Sequence, residues 1–134
     1  MEISGLEFNE VGECLLDENL SSGVRFSLNK SKDDRVIYAF LVNDEVMYVG
    51  ACQSSTTTLK DRMGRYQGMI GAGTNERIAE LIKQALRENK KVKILAWKPS
   101  ENRQYSSGLE IDMINGLENA IIATLPQKSW NIHK

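Results

Sequence analysis

The spacing of apolar and polar residues changes several times along the chain, and each spacing predicts a strand or a helix. Residues 36–40 and 46–50 form two runs rich in β-branched and aromatic side chains, separated by the turn residues Asn43 and Asp44. Such runs predict two strands joined as a hairpin. Because side chains alternate between the faces of a strand, Tyr38 and Tyr48 can share one face.

Helical spacing begins after the hairpin. Leu59, Met63 and Tyr66 recur at helical intervals behind a Ser/Thr-rich run suited to an N-cap, and they predict a first helix. Glycines at positions 68, 71 and 73 then interrupt the pattern. An apolar stripe across residues 75–89 predicts a second helix.

The third strand and the third helix follow. Alternation over residues 92–98 predicts the strand, and apolar residues at four-residue steps over residues 109–125 predict the helix. The elements together predict an α/β (α+β) domain with a small, mainly antiparallel three-stranded sheet flanked by helices, in the order β-β-α-α-β-α.

One compact domain is expected for 134 residues, with residues 36–134 as its body. Residues 1–35 are acidic and weakly patterned, and are predicted as an N-terminal extension. Two interpretations stay open for this extension: an extra strand at residues 24–28, or a segment for assembly or DNA contact.

Composition excludes several classes of protein. No apolar run is long enough to cross a bilayer and no secretion signal is present, so a cytoplasmic protein without membrane contact is expected. Cys14 and Cys52 lack zinc-like spacing, and His133 is the only histidine, so neither a disulfide framework nor a Cys/His metal site is predicted.

The net charge of −1 argues mildly against a nucleic-acid partner, but the charges are unevenly distributed. Acidic residues dominate before Arg25, whereas basic residues crowd positions 60–93. A solvated helix face explains the basic residues at 90–93 equally well. The candidates for contact with DNA phosphates are Lys60, Arg62, Arg65 and Arg77.

Residues suited to phosphoryl chemistry occur near these charges. Arg62 and Tyr66 lie four positions apart and share a helix face. Glu118 stands beside the apolar stripe of the third helix, ahead of Pro126 and Asn131. A surface charge is the ordinary interpretation of such a glutamate. Two other acids predicted on the same helix, Glu110 and Asp112, compete for the role of the catalytic carboxylate.

Taken in order, these residues resemble the motifs of the GIY-YIG nuclease family. The matching positions are Val36-Ile37-Tyr38, Tyr48-Val49-Gly50, Arg62, Tyr66, Glu118 and Asn131. Within the family the likeness is to the endonuclease II-like group of small phage DNA endonucleases. Two features depart from the pattern: Val36 replaces a motif glycine, and the region of residues 54–58 is longer.

The resemblance implies a metal-dependent DNA endonuclease that leaves 5′-phosphate and 3′-hydroxyl ends. Tyr38 is the implied general base, Arg62 stabilises the phosphoryl transition state, and Glu118 holds Mg²⁺ or Mn²⁺. A single carboxylate suffices because Mg²⁺ retains most of its waters. A free phenol has a pKa of about 10, so cationic neighbours would have to favour the phenolate of Tyr38.

The resemblance also implies roles for the remaining positions. Tyr48 and Tyr66 are expected to position water and phosphate, Asn131 to orient Glu118 or the chain terminus, and Gly50 to allow close approach of DNA. Since one site cuts one strand, the resemblance also implies a homo-oligomer, a dimer or a tetramer, acting on double-stranded DNA.

Two alternatives from other classes stay open. One is a non-catalytic nucleic-acid-binding module on the same fold, which the modest charge favours. The other is a protein-interaction domain whose tyrosines belong only to the core. The nuclease interpretation requires that Tyr38, Tyr48, Arg62 and Glu118 converge on one hollow.

Overall fold

A computed structural model of the chain has nine strands and three helices in its described parts. It describes residues 1–29, 36–52, 58–68, 73–98, 104–106, 109–111, 113–126 and 128–131, with backbone only for 104–106, 109–111 and 113–116. The strands are β1 (Glu2–Ile3), β2 (Leu6–Glu7), β3 (Asn9–Leu16), β4 (Val24–Leu28), β5 (Val36–Val42), β6 (Glu45–Cys52), β7 (Val92–Trp97), β8 (Gln104–Ser106) and β9 (Leu109–Ile111). The helices are α1 (Leu59–Gln67), α2 (Thr74–Arg87) and α3 (Met113–Thr124).

The central sheet has five strands in the order β4-β3-β7-β5-β6, and all neighbours run antiparallel. The three predicted strands are β5, β6 and β7, which form one side of this sheet. The predicted sheet therefore had two strands too few. The two further strands come from the N-terminal segment, where the strand expected at Val24–Leu28 is confirmed as β4. Strand β3 escaped prediction because a bulge between Glu10 and Gly12 interrupts its alternation.

Strand β5 is buried along its whole length because both faces of the sheet are covered there. Tyr38 and Phe40 point to the layer of α1 and α2, where they join one apolar cluster with Met63 and Ile78. Residues of the opposite parity in β5, such as Ile37, pack in a second cluster with α3. The result is a three-layer arrangement in which α1 and α2 lie on one face and α3 on the other.

The segment before α3 differs from the prediction. Residues 109–111 form β9, which pairs with β8, so α3 begins at Met113 and not at residue 109. Glu110 therefore lies on a strand and not on the helix of Glu118, and Asp112 lies outside the described residues. Four-residue apolar spacing also fits a short strand followed by a helix, so the spacing alone placed the boundary wrongly. Among the described residues, no helix is long and apolar enough to cross a membrane.

Candidate functional site

The hairpin β5–β6 brings two of the predicted tyrosines onto one face of the sheet. Tyr38 and Tyr48 have ring centroids 6.5 Å apart. Phe40 is the cross-strand partner of Tyr48 and stacks on it at 5.8 Å. Phe40 was not among the predicted site residues, although its position two residues after Tyr38 in the same strand places it on the same face.

Helix α1 delivers the third tyrosine and the arginine to the same place. A capping box starts the helix, in which the Thr58 hydroxyl accepts from the Asp61 amide and the Asp61 carboxylate accepts from the Thr58 amide. Arg62 and Tyr66 then project from adjacent turns of one helix side. Met63 and Leu59 bury the neighbouring stripe against the sheet, which fixes the rotation of the helix.

The phenol of Tyr38 is the centre of the hydrogen-bonded cluster. Its hydroxyl lies 2.7 Å from the hydroxyl of Tyr66 and accepts a hydrogen bond of 3.1 Å from Nε of Arg62. The guanidinium carbon of Arg62 lies 5.1 Å from the centroid of the Tyr66 ring, within cation–π range. Arg62 and Tyr66, which follow Tyr38 by 24 and 28 positions along the chain, therefore meet at its hydroxyl oxygen.

Gly50 provides the space that Tyr38 occupies. The two residues are directly paired across β5 and β6, and a Cβ atom placed on Gly50 would lie only 2.4 Å from the Tyr38 hydroxyl oxygen. No side chain fits there without moving the phenol. Gly50 is also buried. In this structure its missing side chain makes room for the Tyr38 phenol, whereas the expectation from the sequence was close approach of DNA.

Burial dominates the ionisation of the cluster. It raises the pKa of Tyr38 well above its ordinary value; the Tyr48 phenol raises it further, whereas Arg62 and Tyr66 lower it without offsetting the burial. The pKa of Tyr66 is raised for the same reason. Burial alone would lower the pKa of Arg62, but the surrounding phenols more than compensate and raise it. The resting cluster is thus two neutral phenols around one guanidinium cation.

Asn131 lies at the edge of the sheet, next to the residue that precedes Gly50. Its side-chain amide makes two hydrogen bonds of 2.9 Å with the main chain of Val49, one in each direction. The amide of Trp130 also donates to the carbonyl of Met47. These contacts hold the C-terminal segment along β6.

Glu118 lies in a different layer from the phenols. It is half-buried on α3, which packs against β6 and β5 on the opposite face of the sheet through Leu117 and Ile121. Strand β6 is at the edge of the central sheet. A site that contained both Glu118 and the phenols would have to reach from one face of the sheet to the other around that edge. The described contacts bring together Tyr38, Tyr48, Arg62 and Tyr66; the convergence of Glu118 with them stays a prediction.

The expected DNA contacts lie on the layer of α1 and α2. Lys60 and Arg65 are exposed on α1, and Arg77 is half-buried near the start of α2, beside Glu76 and Glu80. Within the described part of the chain, no group of three or more His, Cys, Asp and Glu side chains could hold a metal ion.

Comparison with known proteins supports this architecture. No protein-family model and no curated protein matches the sequence. A solved structure of a glutamate-to-alanine mutant of bacteriophage T4 EndoII matches with a TM-score of 0.70 and 26% identity, over 93% of this chain and 92% of that chain. The chain has the fold of T4 EndoII. The predicted fold class and the predicted likeness to phage endonuclease II are thereby confirmed.

A second solved structure shares the fold at lower similarity. Restriction endonuclease HPY188I, in complex with product DNA, matches with a TM-score of 0.50 and 16% identity, over 93% of this chain and 81% of that chain. At this level of identity the likeness extends to the fold alone.

Proposed function

We propose that this protein is a metal-dependent DNA endonuclease of the GIY-YIG type, which hydrolyses phosphodiester bonds to 5′-phosphate and 3′-hydroxyl ends. The observation that carries the proposal is the hydrogen-bonded cluster of Tyr38, Tyr66 and Arg62. Its members are the residues that the motif resemblance singled out, and the likeness to T4 EndoII supports the same activity.

Arg62 stabilises the phosphoryl transition state in this proposal. Its Nε is held by Tyr38, and a guanidinium carries four further N–H donors in a planar fork suited to phosphate oxygens. Because the group is half-buried and already oriented, little reorganisation is needed as charge develops on the phosphate. Tyr38 and Tyr66 therefore position Arg62 as well as contributing their own hydroxyls.

Tyr38 is the proposed general base. The resting phenol is neutral, since burial raises its pKa, but its oxygen accepts from Arg62 and lies within hydrogen-bonding distance of Tyr66. To act as a base, Tyr38 would first have to release its own proton to bulk water, and the hydrogen bond from Arg62 favours the resulting phenolate. Tyr48 is buried beside it and would help to place the attacking water.

Glu118 is the proposed ligand for Mg²⁺ or Mn²⁺. One half-buried carboxylate fits a hard cation that keeps most of its waters and takes further oxygens from the substrate. When bound, the metal would neutralise negative charge and assist departure of the 3′ oxygen. Asn131 contributes by holding the C-terminal segment on β6.

Nicking of supercoiled plasmid tests the proposal. Wild-type protein with Mg²⁺ should convert the plasmid to nicked or linear product, and EDTA should abolish the reaction. Arg62→Ala should lower the rate by about a hundred- to a thousand-fold, the typical loss for one preorganised donor. Arg87→Ala, which removes an exposed cation from α2, is the charge-matched control and should cleave normally.

The metal assignment has its own variant. Glu118→Ala should abolish cleavage yet retain binding to double-stranded DNA in EDTA. Glu80→Ala, which removes an exposed carboxylate from α2, serves as the control. Wild-type rates in Glu118→Ala would remove Glu118 from the mechanism.

A double-strand break requires two sites, so we propose that the protein acts as a homo-oligomer. Light scattering in the presence of DNA should detect a dimer or a tetramer. A monomer that linearises plasmid in a single encounter would contradict this proposal.

The second candidate function is a non-catalytic nucleic-acid-binding module. The complete burial of Tyr38, together with its raised pKa, favours this alternative because a general base must contact water. Salt-sensitive gel retardation without any cleavage in Mg²⁺ would establish it.

A further inference from the structure

Helix α1 contains a glycine that its own fold does not require. Gly64 lies in the helix interior, where glycine is among the least favourable residues. Apart from the backbone of α1 and the two residues next to Gly64, no atom of the described residues lies within 4 Å of the position that a Cβ would take. Gly50 offers the contrast, because there a Cβ would collide with Tyr38. The missing side chain of Gly64 therefore has no cause inside the described structure.

Gly64 opens onto a groove between α1 and β4, here called the Gly64 groove, with a volume of about 280 Å³. Its lining consists of Phe26, Leu28, Lys60, Met63, Gly64 and Gln67. The helical members are three and four positions apart, so they share one face of α1. A side chain at position 64 would project into this groove.

The polar groups of the Gly64 groove are suited to an anion. Lys60 is an exposed ammonium group. The amide oxygen of Gln67 accepts from the Phe26 main chain at 3.0 Å, which fixes the side chain and leaves its NH₂ group as a donor. Asp61, the acid nearest on the helix, instead accepts from the Thr58 amide at 3.1 Å.

The absence of carboxylates in the lining distinguishes this groove from three others formed by described residues. Each of three other grooves formed by described residues includes at least one acid: Glu45 and Glu88 in one, Asp44 in another, Glu76 and Glu80 in a third. The apolar residues at the base of the Gly64 groove suit a sugar ring, while Lys60 and Gln67 suit a phosphate. These features fit a ligand in which sugars and phosphates alternate.

We propose that the Gly64 groove holds the sugar–phosphate backbone of duplex DNA, with Gly64 allowing that backbone to approach α1 closely. The proposal rests on the proposed nuclease function and adds a second contact surface to it. Arg62 and Gly64 lie about 200° apart around the helix axis, at 100° per residue. The same duplex would then contact α1 on both flanks, once at the scissile phosphate and once in the Gly64 groove.

Two substitutions at Gly64 separate binding from folding. Gly64→Ala should raise the melting temperature by a few degrees, since alanine favours the helix and meets no neighbour. It should nevertheless weaken binding of duplex DNA in EDTA. Gly64→Leu, which fills the groove, should weaken binding by about tenfold or more, a loss that corresponds to about 1.4 kcal/mol.

Lys60→Ala adds an independent measurement. Removing one phosphate contact should lower the slope of log affinity against log salt by about one. Gln84→Leu places the same leucine in a groove that contains carboxylates, and it should bind DNA like the wild type. That variant controls for a general effect of an added apolar side chain.

The outcomes separate this inference from the proposed function. Wild-type DNA affinity in both Gly64 variants would overturn the inference, while plasmid cleavage by the wild type would keep the nuclease proposal. A wild-type protein that neither binds nor cleaves DNA would overturn both. Weakened binding in a Gly64→Ala protein of raised melting temperature would support the inference, because misfolding cannot produce that combination.

Discussion

At the scale of single residues, the candidate site depends on what surrounds the Tyr38 hydroxyl. Burial favours the neutral phenol, whereas the hydrogen bond from Arg62 favours the phenolate. The net result is a raised pKa, so the resting protein holds Tyr38 in its protonated form. A raised pKa also links this residue to the stability of the folded protein at alkaline pH.

We expect the protein to lose stability as the pH rises above about 10, where phenols in the unfolded chain ionise. The folded state keeps Tyr38 and Tyr66 protonated to higher pH, because their pKa values are raised. Their contribution is therefore complete below pH 10 and declines above it. Each phenol should account for up to about 1.4 kcal/mol of unfolding free energy per pH unit.

Urea unfolding of the wild type and Tyr38→Phe between pH 9 and pH 11 measures this effect. The variant should show a shallower decline, since it releases one proton fewer on unfolding. Phe40→Leu removes buried volume from the same cluster without removing a titrating group, so its slope should equal that of the wild type. Equal slopes for Tyr38→Phe and the wild type would refute the predicted ionisation.

The contact between Gly50 and Tyr38 gives a second prediction at this scale. Gly50→Ala should lower stability by about 1 to 3 kcal/mol, the usual cost of an oversized side chain in a packed site. Moving the phenol would also break its hydrogen bond to Arg62, so plasmid cleavage should fall together with stability. Gly64→Ala is the matched glycine-to-alanine control for the stability measurement alone, and its stability should rise instead. Normal cleavage by a stable Gly50→Ala protein would show that Tyr38 can shift without consequence.

At the scale of elements, periodicity predicted most of the fold. The hairpin, α1, α2 and β7 lie within a few residues of their predicted positions. Strand β3 was missed because a bulge disturbs its alternation and because its exposed residues are a mixture of acidic and apolar side chains. The start of α3 was misplaced because four-residue apolar spacing does not distinguish a short strand from a first helical turn. Both outcomes depend on which strands pair with each other, and the spacing of apolar residues does not encode that pairing.

The candidate site was predictable to a different extent. The motif order identified Tyr38, Tyr48, Arg62 and Tyr66, and the fold brings these four together. No sequence pattern indicated that Gly50 supports the Tyr38 phenol, because that contact arises from the register between two strands. Spacing alone could not determine the layer of a helix, so the position of Glu118 across the sheet was equally beyond prediction.

Helix α1 places Arg62 one turn from its N-terminus, so its cap should affect the site. Thr58→Ala should lower the unfolding free energy by about 1 kcal/mol, a typical loss for an N-cap. Fraying of the first turn should also reduce plasmid nicking. Thr58→Ser, which retains a capping hydroxyl, is the control and should behave like the wild type. An unchanged melting temperature in Thr58→Ala would mean that packing alone fixes α1.

At the scale of the whole molecule, side-chain amides cover main-chain groups at both edges of the central sheet. On the β4 edge, Gln67 accepts from the Phe26 amide. On the β6 edge, Asn131 bonds both the amide and the carbonyl of Val49. Unpaired strand edges invite pairing with other chains, and these amides occupy three of the main-chain groups that such pairing would use. An oligomer of this protein should therefore associate through surfaces other than these two edges.

Asn131→Ala tests that role. It removes two hydrogen bonds, and we expect a loss of about 1 to 3 kcal/mol in unfolding free energy. The exposed amide and carbonyl of Val49 should also promote association through β6, which light scattering would detect as species larger than those of the wild type. Asn119→Ala, at an exposed position on α3, is the matched control and should change neither quantity. If Asn131→Ala lost stability without added association, its amide would serve to hold the C-terminal segment and not to protect the edge. Wild-type stability and wild-type size together would exclude both roles.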